Sequence, residues 1–449
     1  MNARHSLVRA GLMLFAMAAA ALFDPAPHPA GAVGWLPPSG PHPVGTGTVS
    51  ALPARKICQV MGEVDRETGQ PAINRTVTRH RFWGTDLGAS FEHRGRLYFL
   101  FGDTHTSAGL RRPADSDFIA VSDDGDPEDC LAMDVASEAD GGFRPLTIPG
   151  IHSGAFAVPT GGFSVDGRMY VFATTDHTPA NPMGRSVLAR SNDDGGSFEL
   201  RRDMSRTHFI NVAPVVADTR TIGAIPGLPD AGTTVLLWGS GRYRASDPRF
   251  AIVPADRVED RDAIRYFAGM DAASGEPRWS AREEDSAPLF QQPCLGELSV
   301  AYLAPLGKWA MLYNCAEPGS RILIRTADRP WGPWSEPSVL FDPERDGAFC
   351  RYMHPGPLMR VRADGCRMVS DPHSIGTAGD VYAPYIVSRF TRSNPDGSAD
   401  IYFLMSTWNP YTVVLMKATL RPDAPHPPAM PGSRLAETET GVGAGVPAN

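Results

Sequence analysis

One arrangement recurs five times along this chain, and it leaves few folds open. Each unit is a two-strand hairpin whose second strand is aromatic or aliphatic almost throughout. The hairpins are LGASFEHRGRLYFLFGDT from Leu87, PTGGFSVDGRMYVFATTD from Pro159, IGAIPGLPDAGTTVLLWGSG from Ile222, ELSVAYLAPLGKWAMLYN from Glu297 and YAPYIVSRFTRSNPDGSADIYFLMSTW from Tyr382. Each is followed by a further strand pair or part of one: FIAVSDD, SVLARSNDDGGSFEL, FAIVPADRVED, ILIRTADRPWGPWSEP and TVVLMKATL. The units recur every ~65 to 95 residues, and self-similarity on that scale marks a repeat architecture. Four strands per repeat set around an axis is the pattern of a propeller blade, so the expected fold is all-β, a five-bladed β-propeller. A β-sandwich accounts less well for the fixed hairpin-then-outer-strand order. KICQVMGEV (Lys56 to Val64) can add an outer strand to the last blade and close the ring. Helical periodicity is nearly absent, and DRVEDRDAIRYF (Asp256 to Phe267) is the best helical candidate.

The flanks read differently. Arg4, His5 and Arg9 precede an apolar run from Ala10 to Phe23, and Ala30 to Ala32 offers a small-residue cleavage site. That is the layout of an export signal over residues 1–32; the run, at about 14 residues, is short of the ~20 that span a bilayer. Residues 33–55 are Pro/Gly-rich and read as a linker, 56–421 as the propeller, and 422–449 as a disordered tail. The chain is therefore expected to be secreted, extracellular or periplasmic, with no membrane span after signal removal, and to be a monomer. Six cysteines suit three disulfides in an exported protein, with fifteen pairings open. No C-x-x-C spacing supports zinc. A net charge of −8 and the lack of a basic run argue against a nucleic-acid partner.

The first hairpin carries the sharpest chemical signal. With Arg94-Gly95 as its two-residue turn, His93 faces Arg96. That register, carried back along both strands, places Asp86 opposite Asp103 with Cβ atoms roughly 4.5–5.5 Å apart. Like charges in that position destabilise a sheet, so the pair is expected to do work. Aligning DLGASFEH with ELSVAYLA puts Glu297 at the position of Asp86 and Asn314 near that of Asp103. Three carboxylates then converge on one mouth of the central channel. Crowded carboxylates drive their proton affinities apart, as glycoside hydrolysis requires of its acid and its nucleophile or base. Asp86, Asp103 and Glu297 are the expected catalytic groups. A plain turn accounts for GDT equally well when that residue is taken alone. No cofactor or metal is expected, although the cluster would also suit a structural calcium ion. No G-x-S-x-G elbow supports a serine hydrolase.

His152, Asp176, Asn211, Asn314 and Trp408 are expected to bind substrate, because a sugar site wants hydrogen-bonding side chains and aromatic faces; His177, His354, Asn409 and Tyr411 are weaker candidates. SNDDGGSF (Ser191 to Phe198) resembles the Asp-box turn of sialidase-type propellers, which makes Asp193 structural. TADRPWGPW (Thr326 to Trp334) resembles an outer turn of arabinanase-type propellers.

TDLG (Thr85 to Gly88) and LYFLFGDT (Leu97 to Thr104) resemble a bacterial family long catalogued only as a domain of unknown function. Weaker similarity continues through GRMYVF, ELSVAYLAPLGKWAMLY and RTADRPWGPWSEP. Some members are endo-D-arabinanases, five-bladed propeller glycoside hydrolases that cleave the D-arabinan of mycobacterial arabinogalactan and lipoarabinomannan. The resemblance implies catalytic roles for Asp86 and Asp103 and a polysaccharide substrate. A non-catalytic, lectin-like propeller of the cell envelope is the alternative, and fold carries over within such a family better than specificity does.

Overall fold

The computed structural model describes residues 48–423 apart from 107–115, 222–224, 226–227, 229–230, 316–320, 356–365 and 367–378. The expected signal peptide, most of the expected linker and nearly all of the expected tail lie outside the described residues.

The chain forms five antiparallel sheets. Two strands come first, β1 (Val49–Ala51) and β2 (Arg55–Gln59). Blade one is β3 (Gly84–His93), β4 (Arg96–His105), β5 (Ser116–Ser122) and β6 (Asp134–Val135). Blade two is β7 (Pro159–Val165), β8 (Arg168–Thr175), β9 (Arg185–Ser191) and β10 (Glu199–Ser205). Blade three has five strands: β11 (Asn211–Asp218), β12 (Thr233–Ser240), β13 (Arg249–Pro254), β14 (Arg265–Met270) and β15 (Pro277–Ser280). Blade four is β16 (Leu295–Leu303), β17 (Lys308–Cys315), β18 (Arg321–Ala327) and β19 (Ser338–Phe341). Blade five is β20 (Val381–Ile386), β21 (Arg392–Ser393), β22 (Ala399–Thr407) and β23 (Thr412–Pro422). The inner strands β3, β7, β11, β16 and β20 touch one another in cyclic order, β20 meeting β3 to complete the ring. Both β1 and β2 pair with β23, so the start of the described chain supplies the outer edge of the last blade. β1 lies within the stretch read as linker, so pairing begins earlier than expected.

The core lies between blades. Along β12, Val235 and Leu237 pack towards blade two, while Leu236 and Trp238 pack towards blade four. Along β4, Phe99 and Phe101 face blade five, and Tyr98 and Leu100 face blade two. Successive side chains of a strand point to opposite faces, and here both faces are covered. The second strand of each blade is therefore apolar without alternation.

Two expectations are corrected. Residues 256–267 hold no α-helix: short 3-10 turns at Ala255–Arg257 and Arg261–Ala263 lead into β14. The five-residue helix α1 (Thr76–His80), unforeseen, precedes blade one. The third hairpin opens at Asn211 rather than Ile222, because the inner partner of β12 is β11.

Disulfides join Cys58 to Cys130, Cys294 to Cys315 and Cys350 to Cys366. The first ties the ring-closing strand β2 to blade one. Asp193 organises the β9–β10 turn by accepting from Ser191 Oγ, Ser197 N–H and Ser197 Oγ, the structural role expected of it.

Candidate active site

Asp86, near the start of β3, and Asp103, near the end of β4, are not direct cross-strand partners. The expected register runs from His93 and Arg96 to Ala89 and Leu100, then breaks. A bulge at Leu87 and Gly88, with φ of 66° and 115°, sets Asp86 opposite Gly102 and leaves Asp103 one residue further on. A bulge inserts an unpaired residue and re-aims its neighbours. Gly102 is part of the design: a Cβ there would sit 3.2 Å from Asp86 Oδ1 and closer still to Leu87 and Val158.

Asp86 is buried. Its Oδ2 accepts from the Tyr382 hydroxyl at 3.1 Å, and its Oδ1 has no partner among the described residues. Burial, and then the charge of Asp103, push its carboxyl well above the usual range. The nearby hydroxyls of Tyr411 and Tyr382 oppose that shift, and Glu297 adds to it. Asp86 thus holds its proton more firmly than an ordinary aspartate. Asp103 accepts the backbone N–H of Phe156 at Oδ1 (3.2 Å).

Glu297, on β16, is reached from blade three. Arg244, in the turn after β12, donates from Nε to Oε2 at 3.2 Å and from Nη2 to Oε1 at 3.1 Å. Asn314 Nδ2 adds a third donor at 2.9 Å, while Asn314 Oδ1 accepts from Ala383 N–H. The guanidinium lies over the rings of Tyr382 and Tyr243 at 5.0 and 4.9 Å. Burial works against its charge, but Glu297 beside it more than compensates, so Arg244 holds its proton more firmly than usual. The three carboxylates therefore differ in kind: one buried with a raised proton affinity, one held by a backbone donor and one locked in an ion pair.

Backbone strain gathers at the same place. Leu87, Asp103, Phe156, Arg244 and Ala383 all have positive φ, between 43° and 66°. Such residues cost about 1–3 kcal/mol each and persist where surrounding structure imposes them. Ala383 marks a register shift between Tyr382 and Tyr385. The extra residue turns both tyrosines into the same core cluster, against the period of two.

The other expected site residues divide. Asn314 joins the cluster. His152 is exposed near His177, whose ring stacks on Phe156 at 4.7 Å and whose proton affinity is lowered by burial and then by His152. Asn211 is buried at the start of β11, with its Oδ1 unpartnered among the described residues. Trp408 packs edge-on to Tyr411 at 5.7 Å. Asp176 is not part of the cluster; it pairs with Arg185 at 2.8 Å and Arg206 at 3.7 Å, which makes it a turn anchor. Sequence reasoning missed Arg244, Tyr382, Tyr243 and Phe156. RYR after WGSG and the paired tyrosines of VYAPYI were the available signals.

At its other end the channel opens into a cavity of about 230 Å³ lined by Ser90, Gly162, Pro214, Ser299 and Arg389. None of the three carboxylates lines it. Convergent polar groups mark a reactive site better than volume does, so the carboxylate end is the candidate. Among the described residues no group of three His, Cys, Asp or Glu side chains is placed to hold a metal ion.

A curated relative, Notoamide biosynthesis cluster protein J' of Aspergillus versicolor, is 28% identical over 350 residues, covering 70% of this chain and 84% of its own. Among solved structures, a Bacteroides ovatus protein titled as a candidate hydrolase aligns with a TM-score of 0.48 and 12% identity over 76% of this chain and 87% of that one. An endo-arabinase from Bacteroides thetaiotaomicron aligns with a TM-score of 0.35 and 12% identity over 74% and 93%. At such values the likeness is one of chain course alone. Residues 71–417, nearly the whole ring, match the family model described as Domain of unknown function (DUF4185), and the chain belongs to that family.

Proposed function

We propose that the protein is an exported glycoside hydrolase that cleaves the arabinofuranosyl linkages of a D-arabinan at the carboxylate mouth of the channel. The observation that carries this reading is Asp86: a buried carboxyl of raised proton affinity with one oxygen unpartnered among the described residues, beside a second carboxylate. In this reading Asp86 delivers its proton to the departing glycosidic oxygen as the bond to the anomeric carbon breaks. Asp103 either takes a proton from a water whose oxygen bonds to that carbon, or bonds to the carbon itself, the resulting ester then being cleaved by a water that gives its proton to Asp86. Glu297, fixed by Arg244, holds negative charge beside the positive charge that develops on the sugar. The three disulfides fit an oxidising compartment and support export. The likeness of TDLG and LYFLFGDT to endo-D-arabinanases supports the substrate class.

The test is incubation of the mature protein with D-arabinan, L-arabinan and other envelope and plant glycans, with Asp86→Asn and Asp103→Asn in parallel. Oligosaccharides released from D-arabinan by the wild type, and by neither variant, are expected. The anomer formed first, read by NMR, separates direct attack from attack through water. Glycan binding without products from the wild type would replace the hydrolase with a lectin.

A further inference from the structure

Next to the carboxylates lies a second cavity of about 230 Å³, lined among others by Trp83, Tyr411, Arg66, Glu63, Val77 and Pro410. Tyr411 is a wall between it and the candidate site: its hydroxyl donates to the Asp103 carbonyl at 3.0 Å and its ring packs edge-on to His105 at 4.9 Å. Gly84 allows this fit, since a Cβ there would lie 2.5 Å from the Tyr411 carbonyl oxygen and 3.0 Å from its ring. Trp83 lies three strand residues before Asp86, about 10 Å away at the usual strand rise.

Two wall residues have side chains without partners among the described residues. Trp83 is half-buried; its ring meets no other ring and its indole N–H makes no hydrogen bond. Arg66 is half-buried, and its guanidinium makes neither a hydrogen bond nor an ion pair. The carboxylate of Glu63, by contrast, is engaged by Thr78 and Arg75. An open indole face and an open guanidinium fork across one cavity match the two sides of a sugar: its C–H face packs on the ring, and its hydroxyl oxygens accept from the fork.

Resting on the glycoside-hydrolase reading, we propose that the Trp83–Arg66 cavity is a glycan subsite holding a sugar unit of the same chain beyond the pair whose linkage is cut. Neither residue takes part in the chemistry, so the contribution is to binding long substrates.

The experiment compares wild type, Trp83→Ala and Arg66→Ala on D-arabinan oligosaccharides and on para-nitrophenyl arabinofuranoside, which is too short to reach the cavity. The expected result is a KM for the oligosaccharides raised about tenfold, equivalent to about 1.4 kcal/mol, with kcat unchanged and the short substrate unaffected. Equal losses on both substrates, or none on either, overturn the proposal. Binding is read separately by tryptophan fluorescence of the Asp86→Asn protein titrated with the oligosaccharides, with Asp86→Asn/Trp83→Phe as the control that should lose the signal. A Trp83-dependent signal without wild-type hydrolysis would keep the subsite and discard the hydrolase. Hydrolysis indifferent to Trp83 and Arg66 would keep the hydrolase and discard the subsite. Neither hydrolysis nor signal would discard both.

Discussion

Replacing Arg244 by Met tests the electrostatic account of the site directly. The Glu297 side chain is 6% exposed and that of Arg244 21%, so the pair is largely out of water. Among the described residues, two of the three donors to Glu297 come from Arg244, and Asn314 remains once they are gone. Removing one partner of a buried pair leaves an uncompensated charge, at a cost of about 3–5 kcal/mol. Methionine keeps much of the volume between Tyr382 and Tyr243, so most of the loss should be electrostatic. Adding Glu297→Gln removes the stranded charge and keeps a group that Asn314 can hydrogen-bond. The double variant should then recover most of the stability, because a neutral replacement for both partners of a buried pair is often tolerated. Urea unfolding at pH 7 of wild type, both single variants and the double variant gives the coupling energy as a double-mutant cycle. A loss below about 1 kcal/mol for Arg244→Met would refute the reasoning. So would a double variant no more stable than the Arg244→Met protein, since the damage would then be packing and not charge.

The remaining predictions concern the first blade and its tether. Burial and Asp103 raise the affinity of Asp86 for its proton in the folded chain, whereas an unfolded aspartate titrates near 3.9. The stability that Asp86 contributes is thus complete below pH ~4 and is lost as pH climbs towards the raised value. Asp86→Asn should unfold at higher urea than wild type at pH 7 and lose that advantage near pH 3.5; a less stable variant at pH 7 contradicts the assignment. Tyr382 donates to Asp86 and favours its ionised form, acting with Tyr411 and against Asp103 and Glu297. Tyr382→Phe should therefore move the alkaline limb of the kcat profile to higher pH, and a lower kcat with an unmoved limb would mean that the hydroxyl only packs. Cys58→Ala with Cys130→Ala opens a loop with a sequence separation of 72 and should cost about 4 kcal/mol by the chain-entropy relation. Denaturant unfolding of the paired variant checks this, with glycan hydrolysis at low temperature retained.

The blades are legible in the sequence because each second strand is covered on both sides. A run such as TVLLW or LYFLF is what burial between two neighbouring blades demands, and five such runs announce five blades. The inner strand β11 is harder to read. NVAPVVAD contains a proline, and none of its side chains after the first three is fully buried, so IGAIPGL, closer to the turn, looks the better partner for β12. The pair of aspartates is legible as a pair, but its register is not. Gly88 reads as an ordinary strand glycine unless the positive φ of Leu87 beside it is known. The same holds at β20, where the bulge at Ala383 turns Tyr382 and Tyr385 inward together, and in the turn that carries Arg244. A period of two assumes an unbroken ladder, and the ladder breaks beside Asp86 and beside Tyr382, at the carboxylates themselves. Agreement among local rules is what specifies a stable fold, and departures from it are expected at functional sites. A chain arranged for stability alone would not bury Asp86 near a second aspartate and a glutamate, nor hold Leu87, Phe156 and Ala383 at positive φ to do so. The failure of sequence reading at this mouth of the channel is thus itself an argument that the mouth performs chemistry.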